Sequence, residues 1–171
     1  MRVVAGEFGG RRLVAPGGVA TRPTTDKVRQ AVFNALDSMG VVEGALVVDL
    51  YAGSGAVGLE ALSRGAAHCT FVERDRGALD ALRMNIESLR VADRCTVIAA
   101  DVLAWLPSAP SVDLVFVDPP YAAVDWPGLL GLLARAGLVI AESDREVAAP
   151  AGWESVRSRR YGRTWVTFLR P

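Results

Sequence analysis

Residues 48–58 read VDLYAGSGAVG, a glycine-rich loop between an apolar run and a helix-like stretch. The apolar run over 45–50 predicts a short strand, and the stretch 56–64 predicts a helix. Gly53 and Gly55 allow the backbone to turn tightly after the strand and to approach a ligand closely. The stretch therefore predicts a ligand-binding turn at the carboxyl end of a strand in an α/β fold.

The alternation of strand-like and helix-like segments continues along the chain. Further strands are predicted at 69–72, 95–99, 113–117 and 137–141, and further helices at 76–89 and 129–134. Short strands that alternate with helices indicate βαβ units and a parallel sheet. Near-continuous apolar runs fit strands that are covered on both faces. The predicted class is α/β with a Rossmann-like sheet.

Both ends of the chain depart from this alternation. Segments 153–160 and 164–169 flank Gly162 with no helix between them, which predicts an antiparallel hairpin that closes the sheet. Near the N-terminus, 2–5 and 11–15 predict a second hairpin. A helix over 26–39 follows, with Thr24 or Thr25 as its N-cap. We predict one domain over 1–171, with a cap of residues 1–44 on a catalytic core of residues 45–171.

Composition excludes several classes of protein. With 171 residues, 51% of them apolar, the chain can bury the core of a single domain. Cys69 and Cys95 lie in strand-like segments and predict buried reduced thiols, and a single histidine argues against a zinc site. No apolar stretch has the length of a membrane helix, and the N-terminus lacks a signal-peptide core. We expect a cytoplasmic monomer with no metal and no membrane partner.

The charge is unevenly distributed. The net charge is zero, yet residues 1–29 and residues 152–171 each carry a net charge of +4 around an acidic centre. If the two ends meet in space, they form a phosphate-binding patch. If they do not meet, they are ordinary solvated faces. Charge alone leaves both interpretations open.

Acidic residues lie at, or just after, the ends of three predicted strands. The loop contains G-x-G-x-x-G with Glu73 20 residues after Gly53, which also matches a nicotinamide dinucleotide fingerprint. Asp49 would repel a pyrophosphate in the crevice but would accommodate the cationic amino-acid part of S-adenosylmethionine. The Glu73 carboxylate could accept hydrogen bonds from both ribose hydroxyls. The Asp101 carboxylate could accept a hydrogen bond from the adenine amino group. Each acid could instead be a loop residue or a helix cap.

A second motif, VFVDPPY over 115–121, follows the fourth predicted strand. Two consecutive prolines stiffen the backbone there. The Asp118 carboxylate and the Pro119 carbonyl can accept both N–H groups of a base amino group, while Tyr121 stacks on the base. This would hold the nitrogen in line with a sulfonium methyl group and stabilise its developing charge. The catalytic candidates are therefore Asp118, Pro119, Pro120 and Tyr121. The alternative is a rigid loop with a capping aspartate.

Segments near the N-terminus narrow the choice of protein family. The chain resembles the RsmD family in the DPPY motif combined with four N-terminal segments: VAG at 4–6, GGR at 9–11, RPTTDKVR at 22–29 and FN at 33–34. That family methylates the guanine N2 amino group in small-subunit (16S) ribosomal RNA. The resemblance implies a class I S-adenosylmethionine-dependent methyltransferase fold. It also implies a seven-stranded sheet whose last strands are antiparallel, with an N-terminal β-hairpin and helix extension.

The resemblance also implies roles for individual residues. The expected cofactor-binding residues are Asp49, Tyr51, Gly53, Gly55, Glu73, Asp101, Val102 and Asp118. The expected RNA-binding residues are Arg2, Arg11, Arg12, Arg22, Thr24, Lys27, Arg160 and Arg163. Arg160 and Arg163 depart from the family pattern, in which a lysine and an aspartate are expected. The implied partner is 16S rRNA within the small ribosomal subunit or an assembly intermediate.

Two other functions share part of these motifs. A DNA adenine-N6 methyltransferase uses the same DPPY chemistry, but usually carries a separate target-recognition domain for which residues 1–44 are too few. A nicotinamide-dependent oxidoreductase or a non-catalytic nucleotide-binding module would use the glycine loop, although Asp49 argues against a dinucleotide.

Overall fold

The computed structural model describes residues 1–16, 25–120 and 124–171. These residues contain a seven-stranded sheet in the order β3-β2-β1-β4-β5-β7-β6. The strands are β1 Leu46–Leu50, β2 His68–Glu73, β3 Cys95–Ala99, β4 Val112–Val117, β5 Ala136–Ser143, β6 Glu154–Tyr161 and β7 Thr164–Arg170. Strands β1 to β5 are parallel, whereas β7 is antiparallel to both β5 and β6. The predicted α/β class and the antiparallel last strands are confirmed.

Helices cover both faces of the sheet. They are α1 Asp26–Met39, α2 Ala56–Ser63, α3 Arg76–Leu89, α4 Val102–Trp105 and α5 Trp126–Leu132, with short 3-10 helices at Ala92–Arg94 and Leu106–Ser108. On one face, a buried cluster joins α1, α2 and α3 to the sheet and contains Phe33 against Phe116, with ring centroids 5.4 Å apart. On the other face, α4 and α5 cover a second cluster around Val115 and Trp126. Burial on both faces explains why the central strands β1, β4 and β5 are mostly apolar, whereas β6 at the edge of the sheet is mostly polar.

Most predicted elements have the observed bounds within a few residues. Helix α5 begins at Trp126, three residues before its predicted start at Leu129. The Asp125 side chain accepts the Gly128 amide there, and Pro127 suits a first helical turn. Helix α4 was not predicted because its four residues are too few for a hydrophobic period. For α1, the structure identifies Thr25 as the N-cap.

The predicted N-terminal hairpin is reduced to a single antiparallel bridge between Arg2 and Arg12. Its backbone hydrogen bonds run from the Val3 amide to the Arg11 carbonyl and from the Leu13 amide to the Met1 carbonyl. The predicted antiparallel pairing is therefore present, but the strands over 2–5 and 11–15 are shorter than predicted. Beyond the bridge, both segments are held by buried side chains of the core. Val4 and Ala5 donate to the Glu60 carboxylate, and Val14 donates to Asn85.

Cys69 and Cys95 are neighbours in the β2–β3 register, and both thiols are free. Cys69 is buried and Cys95 is partly buried. Burial raises the pKa of both thiols, that of Cys95 to about 12. The prediction of two buried free thiols holds for Cys69, whereas Cys95 is free but only partly buried. Both are poor nucleophiles at neutral pH.

In the part of the chain that the structure describes, no helix combines the length and the apolarity needed to cross a membrane. Among the same residues, no three His, Cys, Asp or Glu side chains are grouped as ligands for a metal ion.

Candidate cofactor and target-base site

The sheet brings the predicted cofactor and catalytic residues to one edge. In the strand order, the direction of chain progression reverses between β1 and β4, and such a reversal opens a crevice at the carboxyl ends of the strands. Loop 51–55 follows β1, Glu73 ends β2, and Asp118 follows β4. The cofactor candidates after β1 and β2 thus lie on one side of the crevice, and the candidate catalytic loop with Asp118 lies on the other.

Glu73 braces the glycine loop against the end of β2. Its Oε2 accepts a hydrogen bond from the Gly53 amide at 2.9 Å, and its Oε1 accepts from the amides of Arg74 and Asp75. A carboxylate oxygen has two lone pairs, so Oε2 retains the capacity to accept a hydroxyl group as well. The predicted contact with ribose hydroxyls stays a prediction.

Asp49 lies beneath the loop. Sequence reasoning placed its carboxylate in the crevice, but the side chain is only 4% exposed, and Oδ2 accepts the Gly58 amide of α2 at 2.9 Å. Burial raises the pKa of Asp49 from 3.8 to about 7, although the Gly58 hydrogen bond opposes that shift. A cationic ligand above the loop would favour the ionised form. Asp49 would therefore act on such a ligand as a charge below the loop.

The raised pKa of Asp49 predicts an unusual pH dependence of stability. Because the folded protein holds this proton more tightly than the unfolded chain, the contribution of Asp49 is most favourable below about pH 4 and is lost as pH rises to about 7. The loss amounts to about 4 kcal/mol at most. Asp49→Asn should remove this contribution, as measured by urea unfolding at intervals between pH 4 and 8. An equal pH slope for both proteins would contradict the raised pKa.

The two loop glycines have different surroundings. Both have positive φ, +56° at Gly53 and +80° at Gly55. A Cβ on Gly55 would lie 2.3 Å from Leu82 Cδ1, whereas a Cβ on Gly53 would meet no atom within 4 Å. Gly55 therefore lets the loop pack on α3, and Gly53 borders open space. This packing gives position 55 a structural need for glycine, and the cofactor contacts of both glycines stay predictions.

Asp101 is the N-cap of α4. Its Oδ1 accepts from the amides of Leu103 and Ala104, and its Oδ2 pairs with Arg74 at 3.0 Å. These contacts match the alternative interpretation of Asp101 as a helix cap. Its contact with the adenine amino group stays a prediction.

Tyr51, in the glycine-rich loop, is half-buried and has a φ of 57°. Burial raises the pKa of Tyr51, and the negative charge of Asp101 raises it further. Val102, the next cofactor candidate, is buried at the start of α4.

The candidate catalytic loop leaves β4 with a half-buried Asp118, a buried Pro119 and an exposed Pro120. Tyr121 lies outside the described residues. A small surface cleft separates this loop from the end of β5, and its lining residues are Pro119, Val124, Trp126, Glu142, Ser143, Asp144 and Arg145. A second cleft lies between α4 and α5, but none of its lining residues is a cofactor or catalytic candidate. The cleft beside Pro119 is therefore the candidate base site.

A buried glutamate that sequence reasoning missed anchors the N-terminal segment. Glu60 has no exposed surface and accepts from the amides of Val4 at 2.7 Å and Ala5 at 3.1 Å. It also pairs with Arg64 at 2.8 Å and with Arg29 at 3.5 Å. The signal in the sequence is a lone acid within the apolar helix AVGLEALS. An acid in that position needs buried partners.

Asn85 joins the N-terminal segment to the glycine loop. The side chain is 1% exposed, its Nδ2 donates to the carbonyls of Val14 and Ser54 at 3.0 Å, and its Oδ1 accepts the Val14 amide at 2.7 Å. A polar residue on the buried face of α3 was the available signal. The segment that precedes α1 is thus tied to the loop expected to hold the cofactor.

Asn85→Leu should destabilise the protein by about 1–3 kcal/mol, because it leaves the Val14 and Ser54 backbone groups without these bonds. Chemical unfolding measures the change. Asn34→Leu, a substitution at an exposed position of α1, is the matched control and should stay within about 0.5 kcal/mol of wild type. Equal effects of the two substitutions would contradict the anchoring role of Asn85.

The predicted RNA-binding residues are mostly exposed. Arg2, Arg11, Arg12, Lys27, Arg160 and Arg163 are exposed, whereas Arg22 and Thr24 lie outside the described residues. Arg2 approaches Asp26 at 3.7 Å, and Arg160 Nε donates to the Gly162 carbonyl at 2.9 Å. Arg29, which contributes to the basic N-terminal end, is 1% exposed and paired with Asp26. The exposed surface of the N-terminal end therefore carries less positive charge than the sequence of residues 1–29 suggests.

Both basic ends contact the same buried cluster. Val3 and Leu13 from the N-terminal segment belong to it, and Val156 and Tyr161 of β6 pack against it. Side chains from both ends therefore reach the face of the sheet that α1 covers, while Leu169 and Trp153 of the C-terminal end pack on the opposite face.

Comparisons with known proteins agree on one family. A family model described as conserved hypothetical protein 95 matches residues 1–170. The chain is 37% identical to "Putative rRNA methyltransferase YlbH" of Bacillus subtilis, over 99% of this chain and 98% of the relative. It is 36% identical to ribosomal RNA small subunit methyltransferase D of Escherichia coli, over 95% and 85% of the two chains. The solved structure of "Putative methyltransferase yhhF" from Escherichia coli superposes with a TM-score of 0.87 at 33% identity, over 99% and 97%.

Proposed function

We propose that this chain, which belongs to the RsmD family of ribosomal RNA methyltransferases, methylates the exocyclic N2 amino group of a guanine in 16S rRNA with S-adenosylmethionine as methyl donor. The observation that carries the proposal is the position of the Asp118-Pro119-Pro120 loop, across one crevice from the glycine loop. One loop suits the methyl donor and the other suits a base amino group.

The residues of the crevice fit this donor. Gly53 borders open space, which leaves room for a ligand at the loop. Asp49 supplies a carboxylate below the loop that favours a ligand with a cationic amino-acid part and no phosphate. Glu73 is held at the end of β2 with a lone pair for a hydroxyl. S-adenosylmethionine, when bound, supplies an electrophilic methyl group on sulfur.

The catalytic loop would orient the acceptor nitrogen. The Asp118 carboxylate and the Pro119 carbonyl each accept one N–H of the amino group, which turns the nitrogen lone pair towards the methyl group. As the nitrogen becomes cationic, the Asp118 carboxylate stabilises the charge and accepts a proton from it. The buried Pro119 keeps the loop rigid and excludes water from one side of the nitrogen.

RNA recognition would rest on the shape of the target. Guanine N2 is occupied in Watson–Crick pairing, so the target must be an unpaired base or must be extruded from its helix. The exposed basic residues of both ends would contact phosphates, which sets the position of the base without reading its sequence. This mode of binding suits folded rRNA in a small-subunit particle or assembly intermediate.

Methyl transfer from radioactively labelled S-adenosylmethionine tests the proposal. Small-subunit particles, stripped rRNA and DNA are offered separately, and the labelled nucleoside is identified after digestion. We expect N2-methylguanosine from the ribosomal substrates. Labelled N6-methyladenosine, or a preference for short naked DNA, would contradict the assignment.

The basic N-terminal residues should control the salt dependence of RNA binding. Replacing Arg11 and Arg12 together with alanine should reduce the slope of log K against log salt concentration by about one for each phosphate that the variant no longer neutralises. Binding titrations at several salt concentrations measure the slope. Arg83 and Arg135, which are exposed outside both basic ends, provide the matched double-alanine control. An unchanged slope in the first variant would mean that Arg11 and Arg12 are ordinary solvated residues.

A further inference from the structure

Three side chains form a row across β5, β7 and β6 where β5 ends. Ser143 of β5 pairs with Trp165 of β7, and Trp165 pairs with Arg160 of β6. Directly paired residues of antiparallel strands point to the same face of the sheet, so the three side chains are neighbours. Val139 and Leu169, which lie four residues from Ser143 and Trp165 on the same strands, belong to the cluster that α4 and α5 cover. The row therefore lies on that face.

The row begins at the candidate base site. Ser143 is the last residue of β5, and it lines the cleft beside Pro119. Neighbouring strands are about 4.8 Å apart, which places Trp165 one strand and Arg160 two strands beyond the wall of this cleft. A nucleotide that adjoins a base in the cleft would therefore reach Trp165 and Arg160.

Trp165 is a half-buried aromatic residue that stands outside the apolar core. Tyr161 and Trp153, which are half-buried as well, each pack against one of the two buried clusters, whereas Trp165 packs against neither. Within residues 1–16, 25–120 and 124–171, the indole ring contacts no other ring and its Nε1–H has no hydrogen-bond partner. A buried tryptophan normally finds a partner for this donor. The ring and the donor of Trp165 are therefore free to contact a ligand.

Arg160 supplies positive charge beside the indole. Its side chain is exposed, and its Nε donates to the Gly162 carbonyl at 2.9 Å. No carboxylate among the described residues forms an ion pair with this guanidinium, which keeps further N–H donors for an anion. An aromatic ring beside an unpaired arginine suits a nucleotide, because unpaired bases stack on aromatic side chains and phosphates bind arginine.

We propose that Trp165 stacks on the RNA base that adjoins the target guanine, while Arg160 contacts a phosphate of the same nucleotide. The inference rests on the proposed function, methylation of a guanine in rRNA. A target base that enters the cleft leaves the stack of its neighbours, which costs free energy. Trp165 replaces the lost stacking partner of one neighbour and so offsets part of that cost. Because every base has an aromatic face, this contact holds the strand open without reading its sequence.

The test combines a protein variant with a missing base. RNA that contains the methylated guanine is compared with RNAs that are abasic at one nucleotide beside it, each offered free and reconstituted into small-subunit particles. Trp165→Ala should raise the dissociation constant of intact RNA by about fivefold to a hundredfold. Trp165→Phe keeps an aromatic ring and should stay within about threefold of wild type. For one of the abasic RNAs, wild type and Trp165→Ala should bind equally, because the stacked pair is missing from both complexes.

Two further measurements separate stacking from charge and from folding. Arg160→Gln should reduce the slope of log K against log salt concentration by about one, whereas Trp165→Ala should leave it unchanged, because stacking releases no counterions. Trp165 is one of four tryptophans, and the difference in fluorescence between wild type and Trp165→Phe isolates its emission. Intact RNA should quench that emission, and the abasic RNA that lacks the stacked base should not. This measurement decides if Trp165→Ala does not fold.

Several outcomes would overturn the inference while the proposed function stands. A folded Trp165→Ala protein that binds intact RNA like wild type shows that no base stacks there. A loss of binding that is the same for intact and for every abasic RNA shows that Trp165 acts on the fold or on a ribosomal protein. Emission from Trp165 that responds to no RNA, or to all of them alike, has the same meaning. If wild-type protein methylates no guanine in RNA, the proposed function fails and the inference fails with it.

Discussion

Asp118→Ala should lower kcat for methyl transfer by about a hundredfold or more, the scale expected when a preorganised group that stabilises developing charge is removed. The carboxylate follows β4 at the crevice and is the charged acceptor in the rigid Asp118-Pro119-Pro120 loop. Affinity for the cofactor should change much less, because the glycine loop is braced separately by Glu73. Single-turnover methylation and calorimetric titration with S-adenosylmethionine measure the two quantities.

Asp80→Ala is a suitable control for that substitution. The Asp80 side chain is 74% exposed on α3, so the Asp80→Ala variant should keep a turnover close to that of the wild type. A folded Asp118→Ala protein with near-normal kcat would show that the carboxylate does not hold the acceptor nitrogen.

Gly53→Val should abolish measurable binding of S-adenosylmethionine while the fold persists. The added side chain would occupy the open space beside the loop, and the positive φ of Gly53 adds a backbone cost of about 1–2 kcal/mol. Isothermal titration calorimetry measures binding, and urea unfolding measures stability. Binding at wild-type affinity would mean that the cofactor does not approach Gly53.

Gly55→Val gives the contrasting result. Its Cβ would overlap Leu82 Cδ1, so the substitution should lower stability by about 1–3 kcal/mol beyond the backbone cost. Any loss of binding would then accompany a loss of folded protein. A Gly55→Val protein as stable as Gly53→Val would contradict the packing role of Gly55.

Local pattern was enough to predict the elements with strong periodicity. Strand β3 and helices α1 and α3 have the predicted bounds, because apolar spacing and side-chain caps act within a few residues. The N-terminal hairpin is shorter than predicted, and the rest of its two segments is held by Glu60 and Asn85, more than fifty residues away in sequence, which accept the amides of Val4, Ala5 and Val14. No pattern within residues 2–15 contains those contacts.

The sequence by itself determined the α/β class, the glycine loop after β1 and the rigid loop after β4, since each depends on neighbours along the chain. Only the tertiary structure decided that Asp49 is buried beneath its loop, with a raised pKa, and that Gly55 packs on α3 while Gly53 borders open space. It also decided the register that sets Val117 at the end of β4 beside Ala141 of β5. Strand register is set by hydrogen bonds and burial between segments distant in sequence, so such neighbours follow only from the assembled sheet.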